Sequence, residues 1–462
     1  MTLNINSKFW ALVLIAGALL YFSQPRMALR DIDAFHYLIA ANSLHQGQGY
    51  QDAAGHPIRN WPPGYPFLLS LFPNPFEAAH GINAIAFGFV VGFLFLFALQ
   101  SGWGDAAALG MCAAFGFGWL RIIASDVRAD ILNYAFFFFG VWLFARGGRS
   151  RLFAYLIWNF CIPLKWVSVF FTPAGLFIDA IQRRGKCLPA LFVALVQWDV
   201  ILTSLLVYNY RAIHRLTGPS LAPPDSGRFF DCLGKVIFTL GRSFISSWYG
   251  TIRAPMPGLL FFALLAAGIW AGLSLRPRGN RLYLGLGLAF FGGCAVLFTL
   301  IDFGGVIRLL GYGPLLVLLG FCPERDSYRR WLVYGGLAAG VSVINFASVN
   351  SLGGNDPSYS SLAQATLHLP QVSGAVYTNA FHLLDVHTGR ATEPVTLLDE
   401  VPKGGYFLRV KWPNTDEVAT LTWPIPEPGR GWQLVGRTAT ARLYRRSQWS
   451  GRELSVVAQA SK

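Results

Sequence analysis

The stretch LRDIDAFHYLIAANSLHQGQGY, Leu29 to Tyr50, sets two carboxylates, Asp31 and Asp33, close behind the apolar run FWALVLIAGALLYF, Phe9 to Phe22. Ionised acids are costly in hydrocarbon, so they mark the point where the chain leaves a first span. Asp33 and Tyr37 stand four residues apart, Ala40 and Ala41 follow one turn on, and Leu44 continues the apolar positions. That spacing predicts a short amphipathic helix lying on the membrane face, with Asp33 at its start and the Gly47-Gln48-Gly49-Tyr50 element as its end. An aspartate at a helix start has a purely structural use, capping the first free backbone N–H groups.

The remainder of the chain is of one piece with that opening. Of 462 residues 54% are hydrophobic and 15% aromatic, and only 13% are charged, against about 25% in a soluble domain. The composition is that of a multi-pass membrane protein. No small-residue cleavage site follows the first apolar run, so it reads as a retained span. Further runs fall near 82–100, 105–120, 131–145, 152–163, 166–181, 188–207, 257–275, 282–301, 309–322 and 331–349, about eleven spans in all. The two runs that flank Pro163 are short for a bilayer and suggest a tilted or re-entrant hairpin.

The net charge of +14 does not form a nucleic-acid-binding face, because the cations sit in short clusters between apolar runs. Four of five connections that would share the N-terminal side are basic: Arg146–Arg151, Gln182–Lys186, Arg276–Arg281 and Glu324–Arg330, with Gly102–Asp105 the exception. The positive-inside rule places these in the cytoplasm. The loop 24–81, the connection beginning at Tyr208 and all residues after Asn350 then lie outside. Six cysteines in or beside apolar runs form no C-x-x-C and no Cys/His pairing, so neither a disulfide framework nor a zinc site is expected.

After Asn350 the character changes. Charges of both signs, spaced prolines and short alternating runs such as YFLRVKW and TARLYRR predict a small soluble α/β domain, 351–462, behind a membrane domain, 1–350. This tail holds 11 Lys and Arg against nine acids, so nearly all of the net charge belongs to the membrane part. No fixed-period repeat is present.

The order D-x-x-x-Y-x-x-A, G-x-G-Y and P-P-G-Y-P, carried here by Asp33, Tyr37, Ala40, Gly47, Gly49, Tyr50 and Pro62–Pro66, resembles the first extracytoplasmic loop of the GT-C glycosyltransferases that use lipid-phosphate sugars. That superfamily includes the dolichyl-phosphate-mannose protein mannosyltransferases and the bacterial aminoarabinose transferases. The resemblance implies a GT-C membrane domain of the inner membrane with its active site on the periplasmic side, and makes Asp33 the catalytic carboxylate. Asp31, His36, Tyr37 and Tyr65 are then candidates for positioning the acceptor or the loop.

Other segments are similar to the same superfamily in the same order. ASDVRADILNY gathers Asp126, Arg128 and Asp130 at the head of a span, where the superfamily carries an assisting acid; Asp130 matches best, with Asp126 as its competitor. Solvated charges at a helix mouth would look alike. CIPLKW resembles the superfamily's L-T-K turn and presents Lys165 on the outer side, where the positive-inside rule supplies no reason for a cation, although snorkelling to the interface accounts equally for a lysine. VYNYRAIHRLTG, with Arg211, His214 and Arg215, resembles the entry to a long outer loop, and IDFGGVIRLLGYG places Arg308 at the start of a span. VYTNAFHLLDVHTG resembles the start of the tail in bacterial members; its His382 and His387, five apart and without a third partner, read as surface residues.

The expected chemistry is transfer of a hexose or pentose from a polyprenyl-phosphate donor to a glycan, lipid or protein acceptor. Asp33 takes the proton of the incoming hydroxyl, and Lys165, Arg128, Arg211 and Arg308 hold the departing phosphate. The D-x-D of Asp31 and Asp33 is discounted as a metal–nucleotide site because the donor leaves on a lipid phosphate, so no cofactor or metal is called for. The competing reading is a transporter or flippase of lipid-linked sugars, against which stands the gathering of acids at one membrane face.

Overall fold

The computed structural model describes residues 5–23, 32–51, 55, 57–58, 61–116, 120–183, 188–213, 281–300, 315–316, 319, 369–370, 372, 376–378, 392–394, 398–410, 428–429, 431–438 and 441–447. The expected spans at 257–275 and 331–349, and nearly all of 309–322, lie outside these residues. The chain divides into two compact units. One comprises Met1–Met27, Pro62–Tyr65 and Glu77–Gly354; the other comprises Ala28–Trp61, Pro66–Phe76 and Asn355–Lys462.

The first unit is helical. Its described elements are α1 (Ile5–Ser23), α4 (Pro75–Gln100, entered from the second unit), α5 (Asp105–Phe115), α6 (Arg121–Ala124), α7 (Asp130–Arg146), α8 (Ser150–Phe160), α9 (Phe171–Arg183), α10 (Leu188–Ile213) and α11 (Arg281–Leu300). Among the described residues three helices are long and apolar enough to cross a membrane: Asn6–Ser23, Pro75–Gln100 and Phe192–Arg211. The two elements flanking Pro163 are indeed short, at 11 residues for α8 and 13 for α9. A run of turns over Cys161–Leu164 and a 3₁₀ segment, Trp166–Phe170, separate them. Proline disfavours the α conformation in the residue before it, which breaks the helix here.

Helix α1 leans on α4 backbone to backbone. A Cβ at Gly88 would strike the carbonyl of Val13, and one at Gly17 would lie 3.0 Å from the carbonyl of Ala84. Small residues at such crossings let helices approach closely in lipid, where packing replaces the hydrophobic drive. At one end Lys8 pairs with Asp105 at 2.7 Å, and further along Tyr21 stacks on His80 with ring centroids 4.3 Å apart.

Around Trp158 of α8 the packing tightens. The indole lies where side chains at Gly140 of α7 and Gly175 of α9 would otherwise be, and it donates to the carbonyl of Phe137 at 3.1 Å. Phe137, Phe171 and Phe290 close the same core, with centroids 4.4 to 5.6 Å apart. At one end of this packet Arg151 and Tyr155 both donate to the carboxylate of Asp179, the tyrosine at 2.7 Å. All three groups are buried or nearly so.

The second unit contains α2 (Ile32–His45), α3 (Gly64–Ser70, which begins in the first unit) and a mixed sheet of five strands, β1 (Val376–Thr378), β2 (Thr392–Pro394), β3 (Tyr406–Val410), β4 (Trp432–Arg437) and β5 (Ala441–Arg446). Strand order is β2-β1-β3-β5-β4. β1 is parallel to both β2 and β3, while β5 runs antiparallel to β3 and β4. Phe407 and Tyr444, directly opposed across β3 and β5, are packed with Val401 and form the core of one sheet face, joined by Tyr377, Leu398 and Trp432.

Helix α2 exists where the periodicity placed it, but it is not half-exposed. Every residue from Asp33 to Ala41 is buried, so the apolar spacing reflects all-round packing instead of a helix resting on a surface. After His45 the chain turns through Gly47 and Gly49, both at positive φ (73° and 95°), a region closed to most other residues.

Candidate functional site

The expected site residues fall into both units. In the second unit Asp33 occupies the first turn of α2, where the partial positive charge of the helix end favours a carboxylate. It is 8% exposed. Its Oδ1 accepts a hydrogen bond from Trp61 Nε1 at 2.8 Å, so the side chain serves a partner 28 residues away as well as the helix end. His36, one turn along, stacks on the same indole at 3.8 Å between centroids and 24° between planes. The carbonyl of Trp61 in turn accepts from the hydroxyl of Tyr50 at 2.7 Å. Tyr37 is fully buried. Asp31 lies outside the described residues.

In the first unit the Pro-Pro-Gly-Tyr element meets the Pro163 turn directly. The backbone N–H of Gly64 donates to the carbonyl of Pro163 at 2.7 Å, and a Cβ at 64 would fall within 2.7 Å of that same oxygen. Only glycine fits so close an approach. Beside it the buried hydroxyl of Tyr65 donates to Asn83 Oδ1 at 2.9 Å, and the Asn83 amide donates to the carbonyl of Asp126 at 2.9 Å. A chain of hydrogen bonds therefore runs from the loop tyrosine to the backbone of the acidic cluster.

The cluster consists of two ion pairs. Arg128 Nη2 lies 2.7 Å from Asp126 Oδ2, and Lys165 Nζ lies 3.3 Å from Asp130 Oδ2, in side chains exposed by 16% at most. One turn below Asp130 and one step past Lys165, Ser168 Oγ donates to Asn133 Oδ1 at 2.9 Å. Asn133 and Asp130 share a face of α7 by their spacing of three, while Lys165 is the extended residue just before the 3₁₀ segment and Ser168 lies within it. The two segments are thus joined by a charged rung and a neutral rung. Deeper still, Thr172 donates to Asn159 Oδ1 at 2.6 Å, and Asn159 donates to Gln197 at 3.1 Å and to the carbonyl of Ala194 at 2.9 Å.

Lys165 and Arg128 are two of the cations expected to hold a phosphate. Both rest on carboxylates, Asp130 and Asp126, and the four charges balance. Such a set is expensive to desolvate and holds its place only while every member keeps its partner. An incoming anion has to compete with those carboxylates for the two cations. Arg211 stands exposed in the last turn of α10. Arg308, His214, Arg215, His382 and His387 lie outside the described residues. Trp61, Asn83, Asn133 and Ser168 carry no charge and no periodic signal, and the sequence reading passed over them. Among the described residues no three His, Cys, Asp or Glu side chains group as they would to hold a metal ion.

No protein-family profile matches the sequence, and no curated protein sequence matches it. Among solved structures the chain is similar to the crystal structure of ArnT from Cupriavidus metallidurans bound to undecaprenyl phosphate, at 14% identity, over 95% of this chain and 97% of that one, with a TM-score of 0.47. A likeness of this degree assigns neither substrate nor residue roles.

Proposed function

We propose that the protein is a membrane glycosyltransferase that moves a sugar from a polyprenyl-phosphate donor to a hydroxyl of a glycan, lipid or protein acceptor at the outer face of the membrane, with inversion at the anomeric carbon. The observation that carries this reading is the Asp33 carboxylate, buried at the head of α2 and oriented by the Trp61 N–H at 2.8 Å. The motif order around it, described above, supports the same chemistry. A carboxylate so held is a general base with its geometry set in advance.

In the proposed step the acceptor oxygen attacks the anomeric carbon as the bond from that carbon to the phosphate oxygen breaks. The electron pair of that bond leaves with the polyprenyl phosphate, and the acceptor proton passes to Asp33. Charge grows on the departing phosphate, and fixed cations lower that barrier. Lys165, Arg128, Arg211 and Arg308 are the proposed cations, with Asp130 or Asp126 positioning sugar or acceptor. Proton acceptance and phosphate stabilisation are both supplied by side chains in this scheme, so it calls on no metal. The domain division proposed is a catalytic membrane part, 1–350, with an extracytoplasmic α/β part, 351–462.

The test is transfer in liposomes containing the protein, a radiolabelled polyprenyl-phosphate sugar and a cell-envelope extract as acceptor. Asp33→Asn removes the base at nearly constant volume, and turnover should fall by at least about a hundredfold. Unchanged turnover refutes the assignment. Label that crosses the bilayer without any new glycosidic bond favours the transporter reading in its place.

A further inference from the structure

We infer that Trp61 is a positioning residue for the Asp33 carboxylate, holding it charged and aimed; this rests on the reading of Asp33 as the base. Tryptophan has one hydrogen-bond donor and no acceptor, so its N–H is committed to whichever group it meets. Here it meets Asp33 Oδ1 at 2.8 Å, a good charge-assisted geometry.

The indole is itself fixed from two further directions. Its face lies on the His36 ring at 3.8 Å, and the backbone carbonyl of Trp61 accepts from Tyr50 O–H at 2.7 Å. Asp33 and His36 are three apart on α2, so one indole spans both, with its edge on the acid and its face on the imidazole. Tyr50 follows directly after the Gly47 and Gly49 turn that ends α2. The same residue therefore touches the head of the helix, its first turn and the strap that leaves its far end. A filler would need only the ring; the N–H directed at the carboxylate is what filling does not require.

A hydrogen bond donated to a carboxylate stabilises its charged form over its protonated form. Losing the N–H makes Asp33 easier to protonate, and a base that is protonated is inactive. The acidic limb of the rate profile must then move to higher pH. Among the described titratable residues of this unit, His36 stacks on the indole and Tyr50 donates to the Trp61 carbonyl, while His45, at the far end of α2, is engaged by the carbonyl of Ser70 at 2.8 Å.

The experiment compares kcat/KM against pH for the wild-type protein, Trp61→Phe and Asp33→Asn, with the labelled polyprenyl-phosphate sugar as donor. If Trp61→Phe does not melt cooperatively in detergent, benzothienylalanine at position 61, which keeps the shape and replaces N–H with sulfur, serves in its place. The expected result is an acidic limb moved to higher pH and a loss on the order of tenfold below neutrality, the scale of one hydrogen bond to a charged group. In the Asp33→Asn background the same substitution should add little, because the group it acts through is gone. A limb that stays in place while Asp33→Asn is inactive overturns the inference and leaves the assignment of the base standing. Full activity in Asp33→Asn instead removes the assignment itself.

Discussion

Lys165 Nζ lies 3.3 Å from Asp130 Oδ2, both side chains are nearly or wholly buried, and the residues come from segments 35 positions apart. The pair joins the mouth of α7 to the 3₁₀ turn that follows Pro163. Removing one member is therefore unlike removing both. Lys165→Met should cost about 3–5 kcal/mol, because the Asp130 charge loses the cation paired with it in a buried place. Combining it with Asp130→Asn should return part of that loss. Thermal melting of the purified protein in detergent reads both.

The neutral rung below it behaves differently. Ser168→Ala deprives the Asn133 carbonyl of one donor, and a loss of about 1–3 kcal/mol is expected. Asn133→Leu with Ser168→Ala should cost less than the two single changes added together. A fully additive pair in the same melting assay would show that the rung has no energetic reality.

At the opposite end of α8, Asp179 receives two donors, Arg151 and Tyr155. Tyr155→Phe removes a single neutral donor and should cost about 1 kcal/mol. Arg151→Met leaves a buried carboxylate without its cation and should cost several times more, about 3–5 kcal/mol. Equal melting points for the two variants would contradict the pairing.

The Trp158 packing supplies a steric test. A methyl at Gly140 runs into the indole, so Gly140→Ala should destabilise by about 1–3 kcal/mol through overpacking. Gly110, on α5, has open space around its would-be Cβ. Gly110→Ala should be neutral or mildly stabilising, since alanine favours helix more than glycine does. Paired melting curves decide it.

Much of the local architecture was legible because it rests on short-range rules. Apolar runs located α1, α4, α7 and α10, and the G-x-G element located the end of α2. The Pro163 break was readable from the proline and the short runs beside it. What escaped was pairing across distance. Nothing in the spacing of Asp33 points to Trp61, 28 residues on, because an indole in a loop reads as one more apolar side chain. Asn83, Asn133 and Ser168 are uncharged residues within apolar runs, where periodicity sees only interruptions. The carboxylate partner of Lys165 was not legible because it belongs to another helix. The burial of Asp33 to Ala41 was missed for a related reason, since the polar residues among them, Asp33 and His36, read as an exposed face although both pack against Trp61.

The close crossing of Gly88 on Val13 also bears on how the protein is made. The ribosome delivers α1 before α4, so the leading helix enters the bilayer with a face shaped for a neighbour that has not been synthesised. Until that neighbour arrives, Gly17 and the Val13 carbonyl lack the backbone they meet at Ala84 and Gly88, and hydrophobicity alone cannot choose the helix's rotation. A foreign anchor of equal greasiness grafted in place of α1 would insert, but would lack the groove that lets it seat.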